Sequence, residues 1–194
     1  YVIYGPQTAM VLTLGDGTHI FTLNPDTGEF CLTAAHLSIP EDTHEFAINT
    51  SNFRRWDGHV KAYIDDCFEG AEGPHGKNYN TRWIASLVAE CHRIMVRGGI
   101  FLYPADRREA YHSGRLRLAY ECNPIAFLVE QAGGEATTGD QRILDIEPTH
   151  IHQRAPLIFG SRNEVNLLIH YYKEVHPAQE RSQLFGNRGL FRAG

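Results

Sequence analysis

The chain has 194 residues, 42% of them hydrophobic and 21% charged, with a net charge of −5. This is globular material, long enough to bury roughly 70% of its unfolded surface without disulfides or a structural metal. The acidic balance excludes nucleic-acid binding by bulk charge, and no apolar run approaches the length of a membrane span.

Apolar strand pattern begins at once at Tyr1, as expected of a fragment whose N-terminal partner lies elsewhere, and no basic segment leads into an apolar stretch as in a signal peptide. Residues 8–14 and 18–23 read as strands joined by an Asp16-Gly17 hairpin turn. A second turn over 24–28 leads to a third strand at 29–33. Such a β-meander is too small to stand alone and reads as the edge of a larger sheet. The pattern becomes polar around 38–42, a candidate boundary.

Residues 45–49 read as a further strand. Val60, Tyr63, Ile64, Cys67 and Phe68 repeat with the period of an amphipathic helix. A glycine-rich loop follows at 70–77. The pattern then predicts a helix over 83–97 stopped by Gly98-Gly99, a buried strand over 100–103, and a polar loop over 106–114. A second apolar helix is expected over 118–132, with Pro124 at its start or as a kink, ending at Gly133-Gly134. Strands are expected at 142–146 and 156–160, a helix at 163–175, and a loose tail beyond 177. Strands alternate with helices after position 45, so the class is α/β.

The loop GAEGPHGKN around Gly70 does not match a phosphate-binding P-loop. Five residues separate Gly70 from Gly76 where four are needed, and Asn78 follows Lys77 in place of Ser or Thr. It reads as a plain mobile loop. The eleven histidines lack metal-ligand spacing, and Cys31, Cys67, Cys91 and Cys122 form no CxxC pair. A zinc site or disulfide framework is not expected, and a reducing cytosol is.

The segment 113–124 is richer. Arg115 and Arg117 share one face of an extended stretch, and a guanidinium suits phosphate through forked, charge-assisted hydrogen bonds. Glu121 stands at the edge of an apolar helix, where its carboxylate needs a cation or one of these arginines as partner. A metal ligand and an internal Arg117–Glu121 salt bridge are both open on this chemistry alone.

Residues 115–139, RLRLAYECNPIAFLVEQAGGEATTG, closely resemble the C-terminal region of class I fructose-1,6-bisphosphatases. So do residues 78–104 (NYNTRWIASLVAECHRIMVRGGIFLYP), residues 144–160 (LDIEPTHIHQRAPLIFG) and the opening YVIYGPQTAMVL. The resemblance runs collinearly to about residue 175. It implies a mixed β-sheet flanked by helices, as in the C-terminal domain of the sugar-phosphatase fold. Residues 39–176 would form this sugar-phosphate-binding domain, with 1–38 the last strands of an N-terminal domain and 177–194 a tail. The family's enzymes are about twice this long, and their first half carries the acidic metal cluster and the allosteric nucleotide site.

The resemblance further implies that Asn49, Trp83 and Tyr103 hold the substrate's 6-phosphate and that Arg82 reaches that phosphate in a neighbouring subunit. Arg115, beside Arg117, would contact phosphate and sugar, and the backbone of Phe101, Leu102 and Tyr103 would line the ring. Glu121 would be the one magnesium ligand from this half. Position 83 is Trp where many relatives have Tyr, position 115 is Arg where Lys is common, and 49–53 departs from the frequent Asn-Glu-Gly pattern, which weakens a phosphate role for Phe53. The expected activity is Mg2+-dependent hydrolysis of fructose 1,6-bisphosphate to fructose 6-phosphate by a cytoplasmic homotetramer, in gluconeogenesis or the Calvin cycle. The alternatives are an enzyme that also accepts sedoheptulose 1,7-bisphosphate, or a non-catalytic sugar-phosphate-binding and oligomerisation domain.

Overall fold

The computed structural model describes residues 1–173 and sets a four-stranded antiparallel sheet beside a five-stranded mixed one. The expected tail beyond 177, and the last two residues of the helix expected over 163–175, lie outside the described residues. The first sheet is the expected meander: β1 (Val2–Ile3), β2 (Ala9–Thr13), β3 (Thr18–Leu23) and β4 (Phe30–Ala34) pair in sequence order. Alternation along β2 and β3 buries Ala9, Val11 and Ile20 and leaves the outer face and edge open, with Leu12, Phe30 and Leu32 exposed.

The second sheet is built from β5 (Glu45–Ile48), β6 (Asn80–Thr81), β7 (Ile100–Tyr103), β9 (Glu135–Thr137) and β11 (Leu157–Gly160) in the order β6-β5-β7-β11-β9. β6, β5 and β7 run parallel, and β11 runs antiparallel to both β7 and β9. A small ribbon pairs β8 (Leu116–Arg117) with β10 (Arg154–Ala155). Among the described residues four α-helices cover the sheets: α1 (Gly58–Glu69), α2 (Leu87–Arg97), α3 (Asn123–Gln131) and α4 (Arg162–Lys173).

Strand alternation divides the interior into two cores. Phe46, Ile48, Ile100, Leu102 and Ile158 face one way and pack with Val60, Tyr63 and Ile64 of α1 and Val165 and Leu168 of α4. Ala47, Phe101, Leu157 and Phe159 face the other way, toward Ile94 and Met95 of α2, Ile125 and Val129 of α3, and the buried face of the meander. Each such fully buried aliphatic or aromatic side chain stabilises the fold by about 1.5–3 kcal/mol, before conformational entropy is set against it.

Several boundaries differ from the sequence pattern. Asp57 accepts hydrogen bonds from His59 and Val60 N–H, both at 2.9 Å, and so starts α1 at Gly58, two residues before the apolar repeat begins. The helix expected from residue 83 begins at Leu87. Ala85 lies at φ +62°, the Ile84 N–H donates to Glu90 Oε1 at 2.6 Å, and Ser86 caps the first turn. A left-handed residue cannot continue an α-helix, so Trp83 stays in extended chain. The helix expected over 118–132 opens as a π-turn, Leu118–Cys122, in which Asn123 N–H reaches back to Leu118 O. Pro124 then sits in the first turn of α3, where its missing N–H costs nothing. Residues 143–145 form a 3-10 turn where a strand was expected. β6, β9 and β10 are too short, at two or three residues, to leave a periodic signal. Among the described residues no helix is long and apolar enough to cross a membrane.

Candidate functional site

The parallel strands β5 and β7 end side by side, and β6 runs alongside β5. The carboxyl ends of parallel strands are where α/β sheets leave a crevice that nothing in the fold fills. Asn49 follows β5, Tyr103 closes β7 before Pro104, and Arg82 and Trp83 follow β6. A pocket opens there, lined by Asn49, Leu102, Tyr103 and Arg115, and by Asn52, Trp56 and Asp106.

Each polar group has a definite role. Asn49 Oδ1 accepts from Ser51 N–H at 3.1 Å and caps the 3-10 turn Thr50–Arg55, which leaves the amide NH2 as a donor. Arg115 sits within 3.8 Å of the Tyr111 ring centroid and points Nη1 toward the Tyr103 hydroxyl at 3.5 Å. The Nε groups of both Arg115 and Arg117 are buried without a hydrogen-bond partner. A buried donor left unsatisfied is costly, and two guanidiniums in this condition on one short segment favour an anionic visitor. Asp106 is gripped by Arg108 through forked hydrogen bonds, which hold its carboxyl below the usual carboxylate range.

Of the residues expected from the sequence, Asn49, Leu102, Tyr103 and Arg115 meet in this pocket. Trp83 stands beside it, its ring within 14° of parallel to those of Phe101 and Tyr103 at centroid separations of 6.0 and 6.3 Å. Phe101 is 3% exposed, and its side chain belongs to the core under the pocket. Arg82 is exposed with its Nε 3.4 Å from Glu45 Oε1, and its backbone continues the β6 pairing, in place of the expected helix start. Phe53 is not among the lining residues; the Lys61 ammonium lies over its ring. Asn52, Trp56, Asp106, Arg108 and Tyr111 were missed. The Asp106-Arg107-Arg108 charge run directly after a buried strand was the available signal.

Glu121 lies in the π-turn, a distortion frequent at functional sites. The salt bridge left open by the sequence is not formed: Glu121 Oε2 accepts the backbone N–H of Arg117 at 2.6 Å, while the Arg117 guanidinium turns to Arg115 O at 3.2 Å.

A different cluster has the outward composition of a metal site. Donor atoms of Cys67, His75 and Glu164 lie within 4.8 Å of one another. It is a poor cation receptor. Lys77 Nζ is 2.7 Å from Glu164 Oε2, while the Tyr63 and Tyr79 hydroxyls both donate to Oε1 at 2.7 Å. Burial pushes the Cys67 thiol up to about 12, so a cation there would have to displace its proton as well as Lys77. The same contacts tie down the loop 70–77, read above as plain and mobile, since Lys77 Nζ also donates to Thr43 O at 3.0 Å.

Comparison with known proteins gives one consistent result. Residues 39–173 match the family model for the fructose-1,6-bisphosphatase C-terminal domain. A class 1 fructose-1,6-bisphosphatase of Methylibium petroleiphilum is 56% identical over 191 residues, covering 98% of this chain and 54% of the relative. One from Rhizobium meliloti is 56% identical over 193 residues, covering 100% and 55%. The crystal structure of Leishmania major fructose-1,6-bisphosphatase in holo form superposes with a TM-score of 0.82 at 42% identity, over 88% of this chain and 51% of that one. The chain thus spans about half the length of the curated relatives it matches.

Proposed function

The chain belongs to the fructose-1,6-bisphosphatase family, and from that premise we propose that it forms the sugar-phosphate-binding part of an enzyme that hydrolyses fructose 1,6-bisphosphate to fructose 6-phosphate and phosphate. One observation carries the reading. Asn49, Tyr103 and Arg115, far apart in sequence, converge on one pocket at the strand ends, with the Arg115 Nε buried there and unpaired. In this reading the Asn49 amide, the Tyr103 hydroxyl and the Arg115 guanidinium donate to the 6-phosphate, and Trp83 packs against the Tyr103 ring. Holding the distal phosphate fixes the 1-phosphate relative to the reacting groups, so binding energy remote from the chemistry lowers the barrier.

The resident cation proposed is Mg2+, which supplies charge neutralisation at the transferring phosphoryl group and a lowered pKa for the attacking water. Glu121 fits as one ligand: among the described residues its carboxylate is committed through Oε2 to a backbone N–H and to no cationic side chain. Magnesium requires several converging oxygens, so the remaining ligands belong to the part of the relatives that this chain does not span. The meander is proposed to adjoin that part, a reading supported by its exposed edge strand and by exposed Leu12, Phe30 and Leu32. A homotetrameric, cytoplasmic enzyme is proposed with it, and Arg82, exposed beside β6, is the side chain proposed to serve a neighbouring subunit's pocket.

In the longer enzyme that carries this sequence, Glu121→Gln is expected to lower kcat and raise the magnesium requirement. Fructose 6-phosphate affinity and Tm change little. Steady-state kinetics against magnesium concentration, with thermal melts, test this. Loss of several kcal/mol of stability with unchanged magnesium dependence makes Glu121 structural.

A further inference from the structure

The loop between β7 and β8 forms the cationic wall of the pocket. Asp106 lines the pocket and is forked by the Arg108 guanidinium, whose Nη2 also donates to Asn52 Oδ1 at 3.2 Å. Arg108 and Arg115 both lie over the ring of one residue, Tyr111, with their guanidinium carbons 4.6 and 3.8 Å from its centroid. The Tyr111 backbone is fixed on both sides. Its N–H donates to Arg108 O at 2.8 Å, and its carbonyl accepts from Asp106 N–H at 3.2 Å and Gly114 N–H at 3.0 Å. Gly114 has φ +87°, and a Cβ there would stand 2.1 Å from the Ala155 carbonyl carbon, so only glycine lets the loop close before Arg115.

Two cations held over one ring repel each other, and the structure resolves that asymmetrically. Asp106 neutralises Arg108, which is then committed to Asp106 and Asn52. Among the described residues, Arg115 keeps the ring face and a long contact to the Tyr103 hydroxyl. The negative face of an aromatic ring attracts a guanidinium without using its N–H groups, so those remain for a ligand. An arginine already ordered in this way loses less rotamer freedom when an anion arrives.

We propose that Tyr111 is a positioning residue of the pocket: its ring holds the Arg115 guanidinium in the pocket wall for phosphate capture, and the Asp106–Arg108 fork holds the ring. This rests on reading the pocket as a sugar-phosphate site. The probe is fructose 6-phosphate, titrated calorimetrically into the 194-residue chain, with thermal melts of each variant.

Arg115→Ala is expected to cause the largest loss of affinity. Tyr111→Leu weakens binding by about tenfold, the scale of a partly desolvated cation–π contact. Tyr111→Phe, which keeps the ring, restores it. In the Arg115→Ala background Tyr111→Leu has no further effect, because the tyrosine acts through the arginine. If the leucine variant unfolds, Tyr111→Gln carries the same expectation. Affinity unchanged by Tyr111→Leu or Tyr111→Gln while Arg115→Ala weakens it overturns the positioning role and leaves the site reading standing. An equal loss from the Tyr111 variant with and without Arg115 overturns it as well. Absence of binding, or binding indifferent to Arg115→Ala, overturns the site reading and the positioning role together.

Discussion

Two polar assemblies border the five-stranded sheet, and they are finished to opposite degrees. Around Glu164 in α4, both carboxylate oxygens are occupied, one by the Tyr63 and Tyr79 hydroxyls and the other by the Lys77 ammonium. The cluster extends through the His75 ring and the Tyr171 hydroxyl, 2.8 Å apart. Among the described residues, Arg115 in the wall of the strand-end pocket and Arg117 two residues on have buried Nε groups with no partner, and Asn49 spends its Oδ1 on the turn it caps. Charge alone therefore does not mark a site. A buried charge with every lone pair filled is an internal tie, whereas donors left unfilled beside an open pocket await a ligand. The same comparison separates the two groups of possible metal ligands: in the first, Glu164 already binds the Lys77 ammonium, while among the described residues Glu121 has no cationic side chain against it.

The largest effect expected from breaking the comparison is at Glu164. Glu164→Gln leaves Lys77 without a counter-charge and replaces one of the two accepting oxygens by an amide donor, so either the ammonium or the two hydroxyls face a donor. The expected loss is about 3 kcal/mol, the low end for a broken buried pair because Lys77 is a quarter exposed. Fructose 6-phosphate affinity of the folded variant stays as in the parent. Urea unfolding and calorimetry read the two quantities separately. A variant as stable as the parent would show that the closed cluster is not the tie described.

A smaller effect follows from pH. Burial lowers the pKa of His75 against the opposing pull of Glu164 and Asp66, and burial also lowers that of His92. A histidine whose folded-state pKa is depressed binds fewer protons folded than unfolded just below about pH 6.5. Stability is therefore full above that pH, falls as pH drops through it, and levels off below the folded-state value. His75→Gln is expected to flatten part of this fall in Tm between pH 7 and 5. An unchanged slope assigns the pH dependence to groups outside the closed cluster.

Much of this contrast was legible before the structure, and the limits are physical. The apolar repeat from Val60 to Phe68 specified α1, and the continuous apolar run Ile100–Tyr103 specified a strand buried on both faces. Arg115 was suggested as a phosphate ligand by its chemistry, but Asn49 and Tyr103 were found through resemblance to a family, since nothing in their spacing announces that the ends of β5 and β7 meet. The start of α2 was misplaced because an apolar repeat does not register a left-handed residue such as Ala85. Tyr111 was invisible for another reason. It lies in a polar loop without periodicity, and its role comes from stacking contacts that only the closed loop creates. Lys77 was rejected as a phosphate ligand from spacing alone, and its contact with Glu164 supplies the reason for its presence.

The most direct test of the open pocket is hydrogen exchange of the 194-residue chain with and without saturating fructose 6-phosphate. Slower exchange is expected for amides in 49–52 and 103–117, with segments 63–79 and 164–171 unchanged. Protection centred on the Glu164 cluster, or no protection at the strand ends under conditions where binding is detected, would contradict the placement of the sugar-phosphate site.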